Sequence, residues 1–283
     1  MAHRRGLLGP VVLLLTLALA GGGVYAAISF VQRSETLISE RCTAAVGSQT
    51  AELATDQAVN ASLITAVAVQ RGLPARAASI ALATAMQESK LRNIGHGDQA
   101  GPDSRGLFQQ RPSQGWGTEA QLMDPYYATN AFYDALVKIP GYESLQITDA
   151  AQQVQHSAYP GAYAEYEDMG RSFASGLSGQ TPGAVQCTLR SPDDQGDPVA
   201  VAAGLRRAYG ALDTDTEGQT LVVDASGSQA WSVAQWAVAN AKGYDVIQVD
   251  VEGQSWNRQA RDGWQHSDIA GGQVRITVSA AAG

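Results

Sequence analysis

Between Gly6 and Val31 the chain carries no charged residue, and this run follows directly on His3, Arg4 and Arg5. Roughly 20 apolar residues rising about 1.5 Å each cross a hydrocarbon core of about 30 Å, so the run is long enough to span a membrane. The preceding arginines favour an amino end left on the cytoplasmic side. The expectation is one transmembrane helix over residues 6–31, a cytoplasmic tail at 1–5, and everything after residue 31 outside. A cleaved signal peptide is the alternative, because Ala18-Leu19-Ala20 before Gly21 has the small-x-small form of a cleavage site. Both readings export the rest of the chain: the first to the outer face of the cell membrane, the second as a secreted protein.

Cysteine usage agrees with export. The 283 residues contain two cysteines, Cys42 and Cys187, which bracket the whole central region. In an oxidising compartment they are expected to form a disulfide, worth on the order of 4 kcal/mol by loop-closure entropy; the alternative is two unpaired thiols. The formal net charge is −8, with 19 Lys and Arg. No basic stripe collects them, which excludes the electrostatic footprint of a nucleic-acid binder. His3, His96, His156 and His266 are scattered, without a paired ligand motif such as His-Glu-x-x-His, so no metal is expected. No glycine-rich phosphate cradle is present either, and no cofactor is expected.

Segments differ in composition along the chain. Residues 32–56 are polar with some apolar spacing, and read as a short helical stalk. From 57 to 176 the pattern is of successive helices, Ala58–Arg71, Pro74–Arg92, Pro125–Lys138, Thr148–Gln155 and Ala162–Phe173, with almost no strand signal. Pro74 suits a first helical turn, where its missing N–H would have had no partner. The stretch from Gly95 to Gly117, rich in Gly, Asp, Ser and Pro, is a long loop, of the kind that in a compact domain is usually functional or disordered. Residues 177–198, with Thr181-Pro182-Gly183 and Ser191-Pro192-Asp193-Asp194, read as a linker. From Val199 onward the alternation is helix to Tyr209, strand Thr220–Asp224, helix Ser228–Ala241, strand Asp245–Val251 and strand Gly272–Ser279. That predicts a small α/β domain over 199–283.

Glu88 is the strongest chemical candidate. Ala81, Thr84, Ala85 and Glu88 fall at i, i+3, i+4 and i+7 and share one helix face, so the carboxyl sits on a small-residue stripe one turn from the helix end. Partial burial and the negative end of the helix dipole both disfavour its charged form. A carboxyl kept protonated near neutral pH can protonate a glycosidic oxygen. The bland alternative is an exposed glutamate paired with Arg92 at i+4.

Four further pieces occur in order. Gln87-Glu88-Ser89, Gly106-Leu107-Phe108-Gln109-Gln110, Asp124-Pro125 through Asn130, and His156-Ser157-Ala158-Tyr159 together resemble the motifs of the lysozyme-like superfamily, in particular soluble-lytic-transglycosylase-type domains. The likeness covers about Ala58 to Phe173. It implies a mainly α lysozyme-like domain at 57–176, with Glu88 as acid on the β-1,4 bond between N-acetylmuramic acid and N-acetylglucosamine in peptidoglycan. In the transglycosylase version the same carboxylate then acts as base while the sugar's own 6-hydroxyl closes an anhydro ring. Ser89, Gln109, Gln110, Asn130 and Tyr159 match positions that would contact substrate or, for Tyr159, hydrogen-bond the catalytic glutamate. The departures are Phe108, where methionine is usual, and Pro160 after Tyr159, where the family has asparagine.

A hydrolytic version needs a second carboxylate about 5–9.5 Å away. Asp98 and Asp103 are the nearby candidates, with Asp103 ahead because it abuts the Gly-Leu-Phe-Gln segment; both could equally be turn residues bonded to their own backbone. Gln109 and Gln110 suit the hydroxyl and acetamido groups of amino sugars. Trp116 could stack on a sugar face or plug the loop onto the core. In the final segment Trp256 and Trp264, in turn-rich surroundings, are candidates for an exposed carbohydrate or peptide contact or for the core. This segment faintly resembles accessory domains of actinobacterial cell-wall proteins that are reminiscent of D-Ala-D-Ala metallopeptidases, but Arg275-Ile276-Thr277-Val278-Ser279 stands where those place a His-x-His strand. The expected function is peptidoglycan glycan cleavage outside the membrane. The alternative is a non-catalytic wall-binding or assembly protein with a degenerate groove.

Overall fold

The computed structural model describes residues 22, 23, 38–99, 101–155 and 161–281. Their contacts set Met1–Ser39 apart from a single compact unit, Glu40–Gly283. Within that unit the order is β1 (Arg41–Val46), β2 (Gln49–Leu53), α1 (Thr55–Gln70), α2 (Ala75–Ser89), α3 (Glu119–Leu122), α4 (Pro125–Leu136), α5 (Ile147–Gln155), α6 (Glu167–Leu177), β3 (Val185–Thr188), α7 (Pro198–Tyr209), β4 (Thr214–Glu217), β5 (Thr220–Asp224), α8 (Gly227–Ala239), β6 (Val246–Val251), β7 (Gln254–Asn257), β8 (Trp264–His266) and β9 (Gln273–Val278).

This corrects the expected fold class. Among the described residues there are eight helices and nine strands in two antiparallel sheets, and no helix is long and apolar enough to cross a membrane. The run 6–31 lies outside the described residues apart from Gly22 and Gly23. The region 57–176 does hold the expected helical cluster. The supposed stalk, however, carries the hairpin β1–β2, turned at Gly47-Ser48 with Gly47 at φ 60°, the left-handed value that two-residue hairpins need at their first central position. The supposed linker carries β3, which pairs antiparallel with the other side of β1, giving the order β2-β1-β3. Cys42 and Cys187 are register partners on β1 and β3 and form the disulfide.

The C-terminal segment, expected as a small α/β domain, carries an antiparallel six-stranded sheet, β4-β5-β9-β6-β7-β8. β9 inserts between β5 and β6, antiparallel to both, so β5-α8-β6 is a split β-α-β unit.

α1 explains why the two segments make one unit. Its apolar residues run right round the helix, with Ala58, Ala61, Leu63, Ile64, Ala66, Val67 and Ala68 all buried, the pattern of a helix enclosed on every side. It packs on α2 and α4 on one side and on α7 and α8 on the other. Buried polar groups cross the same seam. Gln235 of α8 accepts from Val185 N at 2.7 Å and donates to Gly176 O at 2.6 Å, Asn240 donates to Ser62 Oγ at 2.8 Å, and Ser232 donates to Leu177 O at 2.6 Å. Each such group would cost about 1–3 kcal/mol if left without a partner, so these bonds fix the seam's register as well as stabilising it.

Trp256 lies in this core. Trp264 donates its indole N–H to Val185 O at 2.8 Å and meets Trp231 edge-on at 5.2 Å. Neither is an open carbohydrate platform.

Candidate active site

α2 owes its position to small side chains. Ala77, Ala78, Ala81 and Ala83 are fully buried, and Gly170 of α6 lies so close that a Cβ there would stand 2.7 Å from Ser79 O. The two helices therefore pack nearly backbone to backbone. α2 ends abruptly after Ser89, because Lys90 and Leu91 both take the left-handed conformation at φ 54° and return their N–H groups to Met86 O and Ala85 O. Two successive non-glycine residues there cost on the order of 1–2 kcal/mol each. Burial of Leu91 and side chains from α1 offset that strain: Gln57 donates to Lys90 O at 3.0 Å and Asn60 to Leu91 O at 2.7 Å. Glu88 is thereby held in the last turn of a rigidly terminated helix.

The cleft beside it has a volume of about 470 Å³ and is walled by Glu88, Ile94, Asp98, Gln109, Gln110 and Trp116 among others. Its far wall is the tight turn Gly106–Gln110, closed by bridges between Ile94 and Gly106 and between Arg105 and Gln110. Gly106, at φ 76°, touches Leu122 O where any Cβ would collide. Leu107 and Phe108 anchor the turn in the core, with Phe108 stacked on Phe132 at 4.5 Å. Phe108 is thus a packing residue of the core. Ser89 ties helix to turn: its hydroxyl donates toward Leu107 O at 2.7 Å, which makes it a brace and not a wall of the cleft.

Glu88 is half-buried, and Oε1 accepts from the Tyr163 hydroxyl at 2.9 Å. Burial pushes its carboxyl above the ordinary range; the Tyr163 hydroxyl and the Gln155 side chain pull it back, and the like charge of Asp98 pushes it up again. The net shift is upward, the direction a general acid needs. Arg92 does not neutralise it, since its guanidinium binds Asp56 at 2.6 and 3.3 Å.

Tyr163 is the functional candidate that the sequence did not disclose. The expected tyrosine, Tyr159, lies outside the described residues. The signal was present, because Ala162-Tyr163 repeats the dipeptide Ala158-Tyr159 four residues on. We expect Tyr163→Phe, which removes a hydrogen bond to the charged form, to raise the Glu88 pKa further. Glu88 then keeps its proton to higher pH, so the alkaline limb of a pH–rate profile moves up; an unmoved limb would mean that the hydroxyl does not govern the carboxyl.

Neither Asp103, the preferred second carboxylate, nor Asn130, matched by the likeness, walls the cleft. Asp103 accepts from Arg111 Nε at 2.8 Å and from Ser113 N at 3.0 Å and does not wall the cleft. Hydrogen bonds from the Ser113 side chain and backbone, with the Arg111 guanidinium, hold its carboxyl well below the usual range. It braces the loop, and the second carboxylate on the cleft wall is Asp98. Asn130 turns to α1, where Oδ1 and its backbone carbonyl both accept from Arg71, at 3.1 and 3.0 Å.

Gln109 and Gln110 do wall the cleft. Gln109 is held in the left-handed region at φ 47°, and Gln110 is buried with its amide N–H on Ala128 O at 3.1 Å. Trp116 is half-buried on the cleft rim. Among the described residues no three His, Cys, Asp or Glu side chains gather as metal ligands. Set against models of known protein families and against curated proteins, the chain matches none of either.

Proposed function

We propose that the chain cleaves β-1,4-linked amino-sugar strands of peptidoglycan, with Glu88 as the acid, outside the cytoplasm. One observation carries this reading: a carboxyl with a raised pKa, hydrogen-bonded to a buried tyrosine, faces an open cleft whose walls include the amides of Gln109, Gln110, Gln114 and Gln155 and the indole of Trp116. Amides recognise hydroxyl and acetamido groups, and an indole rim suits a sugar ring. Protonation of the bridging oxygen by Glu88 lets the bond break with oxocarbenium character. The carboxylate so formed then takes a proton either from the sugar's own 6-hydroxyl or from water. The disulfide fits a compartment outside the cytoplasm, where such bonds persist.

Mass analysis of fragments released from purified peptidoglycan tests this. Anhydro-muramyl ends are expected if Glu88 works alone. Reducing ends would support the same reading with water as acceptor, and loss of that product in Asp98→Asn would then assign Asp98 as the partner carboxylate. Release of no fragments, with binding retained, would replace it by a wall-binding role.

A further inference from the structure

Beyond Trp116 the surface opens into a second basin of about 580 Å³, walled by Gln114, Trp116, Ala135, Lys138, Gln153 and Val154. Gln114 and Trp116 also wall the Glu88 cleft, so the two hollows meet along a shared rim. Their electrostatics are opposite. The first holds two carboxylates, Glu88 and Asp98, and its guanidinium, Arg111, is engaged by Asp103. The second has no acidic wall residue, although the chain as a whole carries −8. Lys138, exposed just past the C-terminal end of α4, makes no ion pair or side-chain hydrogen bond among the described residues. Buried Val154 and half-buried Ala135 and Trp116 give the basin an apolar floor, and Gln114 and Gln153 present amides at its edge.

From this juxtaposition we infer that the second basin binds an anionic peptide substituent carried by the glycan strand in the first cleft, with Lys138 pairing to its carboxylate. The inference rests on the glycan-cleaving reading of Glu88. A strand stripped of peptide keeps only the short lactyl carboxylate beside each muramic ring and has nothing to fill the amide and apolar walls that surround Lys138. A short peptide with a carboxylate matches every wall: amides for its backbone, Ala135, Val154 and Trp116 for small apolar side chains, and Lys138 for the charge. The basin would thus select peptide-bearing strands over stripped ones and set the register of the cut.

The test is binding of the full chain carrying Glu88→Gln, which slows turnover, to peptidoglycan glycan strands before and after enzymatic removal of the peptides. The variant with Lys138 intact is expected to prefer peptide-bearing strands. Adding Lys138→Gln should weaken that binding by about 3- to 5-fold and leave stripped strands unaffected, and Lys138→Glu should weaken it by about 10-fold, both effects fading with salt. Lys138 is exposed, so these variants should fold, and unchanged thermal unfolding checks this. Equal affinity for both strands, or equal losses on both, overturns the inference and leaves the glycan reading standing. Failure to bind either strand overturns both.

Discussion

Replacing Glu88 with glutamine is expected to lower peptidoglycan cleavage by about 10²- to 10⁴-fold, the usual contribution of a positioned general acid. Glutamine keeps the size and planarity of the side chain, and its carbonyl oxygen can still accept from Tyr163, so the cleft should keep its shape. What is lost is the proton. The stability of the variant distinguishes lost chemistry from lost fold. The folded-state pKa of Glu88 is raised, chiefly by burial. Its stabilising contribution is therefore fully present below the unfolded value, near 4.5, and is lost as pH rises through the folded value. Glutamine has no charge to bury. Above that window the variant should be more stable than the parent, and below it the two should converge, as read by urea unfolding at several pH values. An inactive variant that is less stable at neutral pH would point to misfolding instead.

The disulfide supplies the second large effect. It closes a separation of 145 residues and joins the middle strand of the small sheet to the segment that leads into the C-terminal part. Chain-entropy arguments give about 5 kcal/mol for such a loop, and measured losses on removing native bridges run about 2–5 kcal/mol. Both sulfurs are buried, so alanine is the cleaner replacement, avoiding new buried hydroxyls. Thermal unfolding of the chain with Cys42→Ala and Cys187→Ala should shift down by roughly 5–15 °C. An unchanged midpoint would mean that the seam around Gln235 and Asn240 holds β3 in place unaided.

The helical part of this fold was legible because helices of this length leave periodic signatures. α1, α2, α4 and α5 fall close to where apolar spacing and the Asp124-Pro125 start place them. The first sheet was not legible. Arg41–Leu53 is rich in alanine and threonine, with no run of branched or aromatic residues, and β3 is four residues long within a Gly- and Pro-rich stretch. These strands exist because a disulfide and the packing of α6 hold them, which is a tertiary cause with little local trace. The C-terminal strands β5, β6 and β9 were visible as apolar runs. Their antiparallel order was not, because only the insertion of β9 decides it.

At the site, Glu88, Gln109, Gln110 and Trp116 come together across one cleft from positions the sequence marked. Asp103 was preferred to Asp98 for its closeness in sequence to the Gly-Leu-Phe-Gln turn. In space Arg111 and Ser113 draw it away, and side-chain direction in a long loop leaves no periodic signal to read. Asn130 fits a motif by position, yet Arg71, 59 residues earlier, takes up its side chain.

The most direct test of the central claim is a crystal structure of the Glu88→Gln chain with a β-1,4-linked N-acetylated amino-sugar oligosaccharide. The expected result is a sugar chain lying against Gln109 and Trp116, with one bridging oxygen within about 3 Å of the residue 88 amide, the reach of a general acid. A well-ordered oligosaccharide bound elsewhere, or seated in the cleft with no bridging oxygen near residue 88, would contradict the assignment of Glu88 as the acid.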